Sequence, residues 1–296
     1  MKPLWLLLLL ACASPVLAQG QDFSKVEELV TPLGAGLYAL TGSGGNTTVA
    51  VGTDGIIVVD TQFSPLHDKI KARISGFSHL PVKYVINTHF HGDHTGGNAA
   101  FAKEGAVIVA YKTLGERLSH PLPGADGQPG TPAPAEALPT RPYDTATSSV
   151  AVGGLTADLL HPMGSHTDTD TVVFFKSANV IATGDTVTSA SYPNIDVAAG
   201  GSIDGMIANA DTIIARADAA TKIVPGHGPV TDKAGVMEYR AMLQTARDRI
   251  AKAKASGMSE QQMADANLLA DLDVKWKANA SALQQRFPRL VYQSVK

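Results

Sequence analysis

His89-Phe90-His91-Gly92-Asp93-His94, preceded by Asn87-Thr88 and followed by Thr95-Gly96-Gly97, packs three of the nine histidines and a carboxylate into six positions. The string closes a strand-like run, Tyr84-Val85-Ile86. Two imidazoles two residues apart on an extended segment point to the same side, so both nitrogens can reach one cation about 2 Å away. Asp93 and His94 then face a second position. Gly92, Gly96 and Gly97 permit a tight turn, and a helix after Gly97 is expected to aim its amide ends at the site.

Outward from this string the pattern is strands followed by a helix, twice over. Leu37 to Thr41, Thr47 to Val51 and Ile56 to Val59 are separated by Gly-rich or Asp-Gly turns and read as antiparallel neighbours. Pro65 to Phe77 has helix spacing, with Leu66, Ile70 and Ile74 four apart. Val107 to Val109 reads as a strand and Leu114 to Leu118 as a short helix. The stretch from His120 to Ser149 holds seven of the seventeen prolines and reads as a long surface loop. Val150 to Val152, Leu155 to Leu160, Val172 to Phe175 and Val180 to Ala182 resume the strands, and Ile203 opens a helix whose apolar positions mark one buried face. Ile223-Val224 runs into Pro225-Gly226-His227-Gly228; beyond Thr231 the pattern is helical, with a capping box at Ser259 and Gln262. Two sheets with helices outside them fit this order better than a doubly wound parallel fold.

The string H-x-H-x-D-H resembles the signature of the metallo-β-lactamase superfamily, which is followed by three isolated ligands. His166 in Gly164-Ser165-His166, Asp185 in Thr183-Gly184-Asp185 and His227 in Pro225-Gly226-His227 match them in order, and the resemblance spans about Leu37 to Gly228. It implies an α+β, four-layer αββα sandwich of two mixed sheets, with residues 19–231 as the catalytic domain and 232–296 as a helical tail packed on it. It also implies a first metal on His89, His91 and His166, a second on Asp93, His94 and His227, and Asp185 bridging both. A nitrogen and oxygen set without thiolate suits two Zn²⁺, with Fe or Mn as substitutes.

Two cations that close acidify a water between them into a nucleophile, so the resemblance implies a hydrolase of carbonyl-type bonds: amide or β-lactam, lactone, ester or thioester. Asp93 is the expected catalytic residue, holding the second metal and orienting the nucleophile. A β-lactamase proper is the alternative, against which stand Asp185 where one subclass has cysteine and Thr188 where it often has lysine. A mono-iron persulfide dioxygenase or a non-catalytic member of the fold are further alternatives. Tyr192, Asn194 and Asp196 lie in a loop beyond Asp185 and are candidates to face a substrate. His67, His79 and His120 lack neighbours of ligand type, and His161 is expected to act behind the ligands or not at all.

Of the 296 residues 44% are hydrophobic and 17% charged, a globular balance. Lys2, the apolar run from Leu4 and the exit Val16-Leu17-Ala18 form a secretory signal over residues 1–18, so the mature chain is expected outside the cytoplasm, periplasmic or secreted. Cys12, the only cysteine, gives the alternative of a lipid-anchored form. Cleavage removes Lys2 and no acid, moving the net charge from −3 to −4. An acidic chain disfavours nucleic-acid partners, and its one apolar run is too short for stable membrane insertion; a small-molecule substrate is expected.

Overall fold

The computed structural model describes residues 22–123, 128–276 and 286–296; the signal segment read at 1–18 lies outside the described residues. One sheet runs in the order β1 (Leu29–Gly34), β2 (Leu37–Thr41), β3 (Thr47–Val51), β4 (Ile56–Val59), β5 (Val82–Ile86), β6 (Val107–Tyr111), β7 (Arg141–Tyr143). Its first four strands are antiparallel, joined by short turns, and β4 to β7 are parallel. Parallel neighbours need crossovers. These are α1 (His67–Ser75), α2 (Gly92–Thr95) with α3 (Asn98–Lys103), and α4 (Lys112–Ser119). The second sheet holds β8 (Thr147–Val152), β9 (Leu155–Leu160), β10 (Val172–Phe175), β11 (Val180–Thr188) and β12 (Lys222–His227) in the order β12-β11-β10-β9-β8. Only its β11–β12 pair is parallel, and α5 (Ile203–Arg216) makes that crossover. There follow α6 (Lys233–Ala255), α7 (Glu260–Asp265), α8 (Ala270–Trp276) and α9 (Phe287–Ser294).

Alternation along the strands builds the layers. Ile57 and Val59 of β4 point into the space between the sheets, where they join Phe175, Ala182 and Val224 from the second sheet. Ile56 and Val58 point the other way, against Ile70 and Ile74 of α1 and Phe101 of α3. On the far side, Phe174, Ile181 and Ile223 meet Met206, Ala210 and Ile213 of α5 and Leu243 and Ala246 of α6. A strand covered on both faces has no reason to alternate in polarity, which is why β4 reads as the unbroken apolar run Ile-Ile-Val-Val. The result is an α+β four-layer sandwich of two mixed sheets, with C-terminal helices packed on the outer face of the second. Phe287, Leu290 and Val291 of α9 sit in the same core as α5 and α6. The capping box at Ser259 and Gln262 is formed.

Two elements depart from the sequence reading. β1 is absent from it because β1 is an edge strand with five of six residues exposed, which leaves no hydrophobic period to read. The stretch 120–149 is not one long loop: β7 and the start of β8 lie within it. Tyr143 buries its ring although Arg141 and Pro142 beside it are exposed, a three-residue pattern too short to register. Among the described residues no helix is long and apolar enough to cross a membrane.

Candidate metal centre

β5 ends at Ile86 and β12 at His227, and the segment after β9 carries His166, so the matched residues meet along one edge of the sandwich. Asp185 lies within β11, where the register to β12 shifts at Gly184. Such a bulge re-aims the next side chain. Gly184 has φ +52, and a Cβ there would collide with Thr88. Gly226 passes so close to Asp185 Oδ1 that a side chain there would displace the carboxylate.

Two groups result. Ligand atoms of His89, His91, His166 and Asp185 lie within 4.8 Å of one another, as do those of Asp93, His94 and His227. His91 Nδ1 stands 3.1 Å from His89 Nε2 and 3.1 Å from His166 Nε2. Asp185 serves both groups. Its Oδ2 is 3.7 Å from His166 Nε2 and 4.0 Å from His89 Nε2, whereas its Oδ1 is 3.3 Å from Nε2 of both His94 and His227. The second carboxylate, Asp93, has Oδ2 3.3 Å from His227 Nε2.

The hydrogen bonds behind these rings decide which nitrogens are bare. His91 Nε2–H donates to Asp196 Oδ2 at 3.0 Å, and His166 Nδ1–H donates to the carbonyl of Asn194 at 2.9 Å. Thr88 gives its hydroxyl proton to Asp60 Oδ2 at 2.6 Å, so its oxygen accepts from His89 Nδ1–H at 3.1 Å. Each acceptor fixes a tautomer, leaving the lone pairs of His89 Nε2, His91 Nδ1 and His166 Nε2 converging on one point. The His91 lone pair, about 3 Å from each of the other two, is repelled unless a cation lies between them, and tetrahedral ligands at zinc distances are themselves about 3.3 Å apart. In the second group His94 Nδ1–H donates to Asp60 Oδ2 at 2.8 Å, which turns its Nε2 inward. Buried Asp185 Oδ1 accepts no hydrogen bond, although two imidazole nitrogens stand near it. A carboxylate oxygen among inward-facing imidazole nitrogens fits a cation, and the residues present fit two.

Electrostatics agree. Burial, reinforced by neighbouring rings, drives His89 well below the usual imidazole range, and burial takes His166 down to about 4, so both rings are neutral, as metal binding requires. Burial opposes charge at His94 and His227 too, but there the carboxylates of Asp185 and Asp93 outweigh it: His94 is held well above its ordinary value and His227 rises to about 10. Surroundings that favour a proton on those rings favour a metal cation equally. Asp93, although burial resists its ionisation, is held at about 2 by His94 and His227.

The structure redirects three sequence readings. Tyr192 is buried, its hydroxyl donating to Asp273. Asn194 offers its backbone carbonyl to His166, and Asp196 holds His91, so this loop braces two of the candidate ligands. Ahead of the helix after Gly97, the Gly97 N–H donates to Thr61 Oγ1 at 3.1 Å. His161 stacks on Tyr111 and donates to the Asp170 carbonyl, while the Asp170 carboxylate takes the His166 amide. Asp60 went unread. It accepts from Thr88 N–H, Thr88 Oγ1 and His94 Nδ1 while adopting φ +62. An acid directly closing an apolar run was the available signal.

Burial would raise the Asp196 carboxyl, but the His91 and Ala199 hydrogen bonds outweigh it and keep it ionised. Asp196→Asn exchanges a charged acceptor for a neutral one behind His91. Metal affinity is expected to fall by about 10–100-fold, measured by competition with a chromogenic chelator; unchanged affinity would show that His91 needs no such brace.

Residues 40–227 match the family model described as the metallo-beta-lactamase superfamily. Among curated proteins, the 2,4-dinitroanisole O-demethylase subunit alpha of Nocardioides sp. (strain JS1661) is 30% identical over 166 residues, covering 55% of this chain and 48% of that protein. The chain spans less than two thirds of the length of the curated relatives it matches. Among solved structures, a metallo-beta-lactamase from Pontibacter korlensis superposes with TM-score 0.60 at 21% identity, over 74% of this chain and 99% of that one. The stereoselective inverting sec-alkylsulfatase Pisa1 from Pseudomonas sp. superposes with TM-score 0.70 at 18% identity, over 90% of this chain and 50% of that one. At those identities the likeness is one of fold.

Proposed function

The chain belongs to the metallo-β-lactamase superfamily, and on that premise we propose that it is a hydrolase holding two divalent cations, zinc in the first instance, that cleaves a carbonyl-type bond of a small molecule. The observation that carries this reading is Asp185, one of whose carboxylate oxygens faces each group of imidazoles. When bound, such a cation pair supplies Lewis acidity and brings the pKa of a water near neutrality.

The chain's own part follows from exposure. His89, His94 and His166 are fully buried, whereas the side chains of His91, Asp93 and His227 are 24%, 24% and 30% exposed, so the cage opens on that side. A substrate arrives there. Asp93, ionised at neutral pH, accepts a hydrogen bond from the attacking water and fixes its direction. Asp93→Asn keeps the shape and is expected to lower kcat by about 10²-fold with the melting temperature unmoved. Undiminished turnover at full metal occupancy would remove Asp93 from that role.

A β-lactam carboxylate would find no cation at Thr188, which is buried and donates its hydroxyl to the Ser191 carbonyl. This supports esters, thioesters or lactones over lactams. The signature of residues 1–18 supports an exported location.

Elemental analysis of the mature chain, paired with turnover of an ester, a lactone, a thioester, a chromogenic cephalosporin and 2,4-dinitroanisole, tests the reading. Two zincs with turnover of at least one carbonyl substrate are expected. One iron per chain without hydrolysis overturns it and moves the protein to oxygen chemistry.

A further inference from the structure

Beside the open side of the cage lies a cavity of about 450 Å³, bordered by His91 and Gly92. Volumes of about 300–1,000 Å³ are those of small-molecule sites. Its walls are Phe90, Ala99, Leu118, Pro121, Ala133 and Pro134, so the Pro-rich stretch contributes half of these six. That stretch is tied down on both sides: Ala133 N–H donates to the Leu118 carbonyl at the end of α4, and Asn98 of α3 donates to the Ala137 carbonyl. The wall is therefore a built surface.

Two polar side chains of the lining are engaged elsewhere. Thr95 donates its hydroxyl to the backbone carbonyls of His91 and Phe90. Arg117, the one formally charged lining residue among the described residues, is held by Asp168 through Nε at 3.2 Å and Nη2 at 2.6 Å. Exposed Ser64 and Thr131 add hydroxyls only. An ionised group entering the cavity would lose its water without gaining a free counter-charge, whereas a hydrocarbon group would lose only unfavourable hydration.

We propose that this cavity is the subsite for a neutral aliphatic or aryl acyl group, so that the substrate is a medium-chain acyl ester, thioester or lactone whose carbonyl reaches the cage while its chain lies along Phe90 and Ala133. The assignment rests on the hydrolase reading above for its reaction, though not for its binding. Each methylene buried in such a site raises kcat/KM about fourfold.

The test uses the metal-loaded chain with 4-nitrophenyl acetate, butanoate and hexanoate, alongside calorimetric binding of hexanophenone and acetophenone, ketones that have no leaving group. The hexanoate-to-acetate ratio of kcat/KM is expected at about 200-fold. It should collapse towards parity in Ala133→Phe, which fills the cavity from the Pro-rich wall, and in Ala99→Leu, which fills it from α3 and covers a failure of the first variant to fold. A chain-length-independent kcat/KM in the parent overturns the assignment, as does a ratio unchanged in folded variants. Absence of ester turnover with hexanophenone binding that both variants abolish sinks the hydrolase reading and leaves the subsite standing. Hexanophenone binding no tighter than acetophenone overturns the subsite.

Discussion

An Asp185→Asn chain is expected to fold, to hold about one metal in place of two, and to lose about 10³-fold in kcat/KM. The side chain is buried, and although burial opposes its charge, His227 and His94 outweigh that and hold its carboxyl well below the usual range, so in the protein alone it pairs with those rings. What it offers is an anionic oxygen to each group, 3.3 Å from His94 and His227 on one side and 3.7 Å from His166 on the other. Asparagine keeps the volume but turns an amide NH₂ towards one of the two sets of imidazoles. That set loses its carboxylate and gains a donor, and the cation there has less to hold it. Metal content by elemental analysis and turnover of whichever ester proves active check this together. Melting of the chelator-treated variant should fall below that of the chelator-treated parent, because the pairing with His94 and His227 is lost. Two metals and full turnover would show that the carboxylate does not bridge.

What the sequence makes legible here is local. His89-x-His91-x-Asp93-His94 can be read because a strand end fixes the direction of residues two apart, and β4 can be read because burial on both faces leaves no polar position in Ile56–Val59. The two-sheet architecture follows from strands and a helix repeated twice. The bracing of the ligands is not local and is not legible. Asp196 sits 105 residues from the His91 it holds, and Asn194 meets His166 through a backbone carbonyl, which no side-chain pattern records. Edge strands fail for a different reason: β1 buries one residue of six, so its sequence carries the signature of a loop. The Pro-rich stretch misleads because proline marks an irregular chain without saying whether that chain is free or tied, and here a backbone bond to the Leu118 carbonyl and one from the Asn98 side-chain amide tie it.

Asp60 links these two scales, and its removal should show in stability as well as metal content. Its carboxylate is buried and takes three donors: Thr88 N–H at 2.7 Å, Thr88 Oγ1 at 2.6 Å and His94 Nδ1 at 2.8 Å. Thr88 in turn fixes His89, so one side chain orients a ligand in each group. Asp60→Ala leaves these donors buried without an acceptor and is expected to cost about 3–5 kcal/mol, the scale for breaking a buried charged pair. Asp60→Asn is the sharper test. An amide has one accepting end where the carboxylate has two, so at least one donor must face another donor. If that donor is His94 Nδ1–H, the ring relieves the clash by moving its proton to Nε2, where it covers the lone pair that faces Asp93 and Asp185. If it is Thr88 N–H, the segment carrying His89 shifts instead. Both variants should therefore unfold at lower denaturant after chelation, and Asp60→Asn should bind its metals about 10–100-fold more weakly. Wild-type unfolding midpoints together with undiminished metal affinity in both would mean that the rings are oriented by the surrounding packing, with Asp60 a passenger.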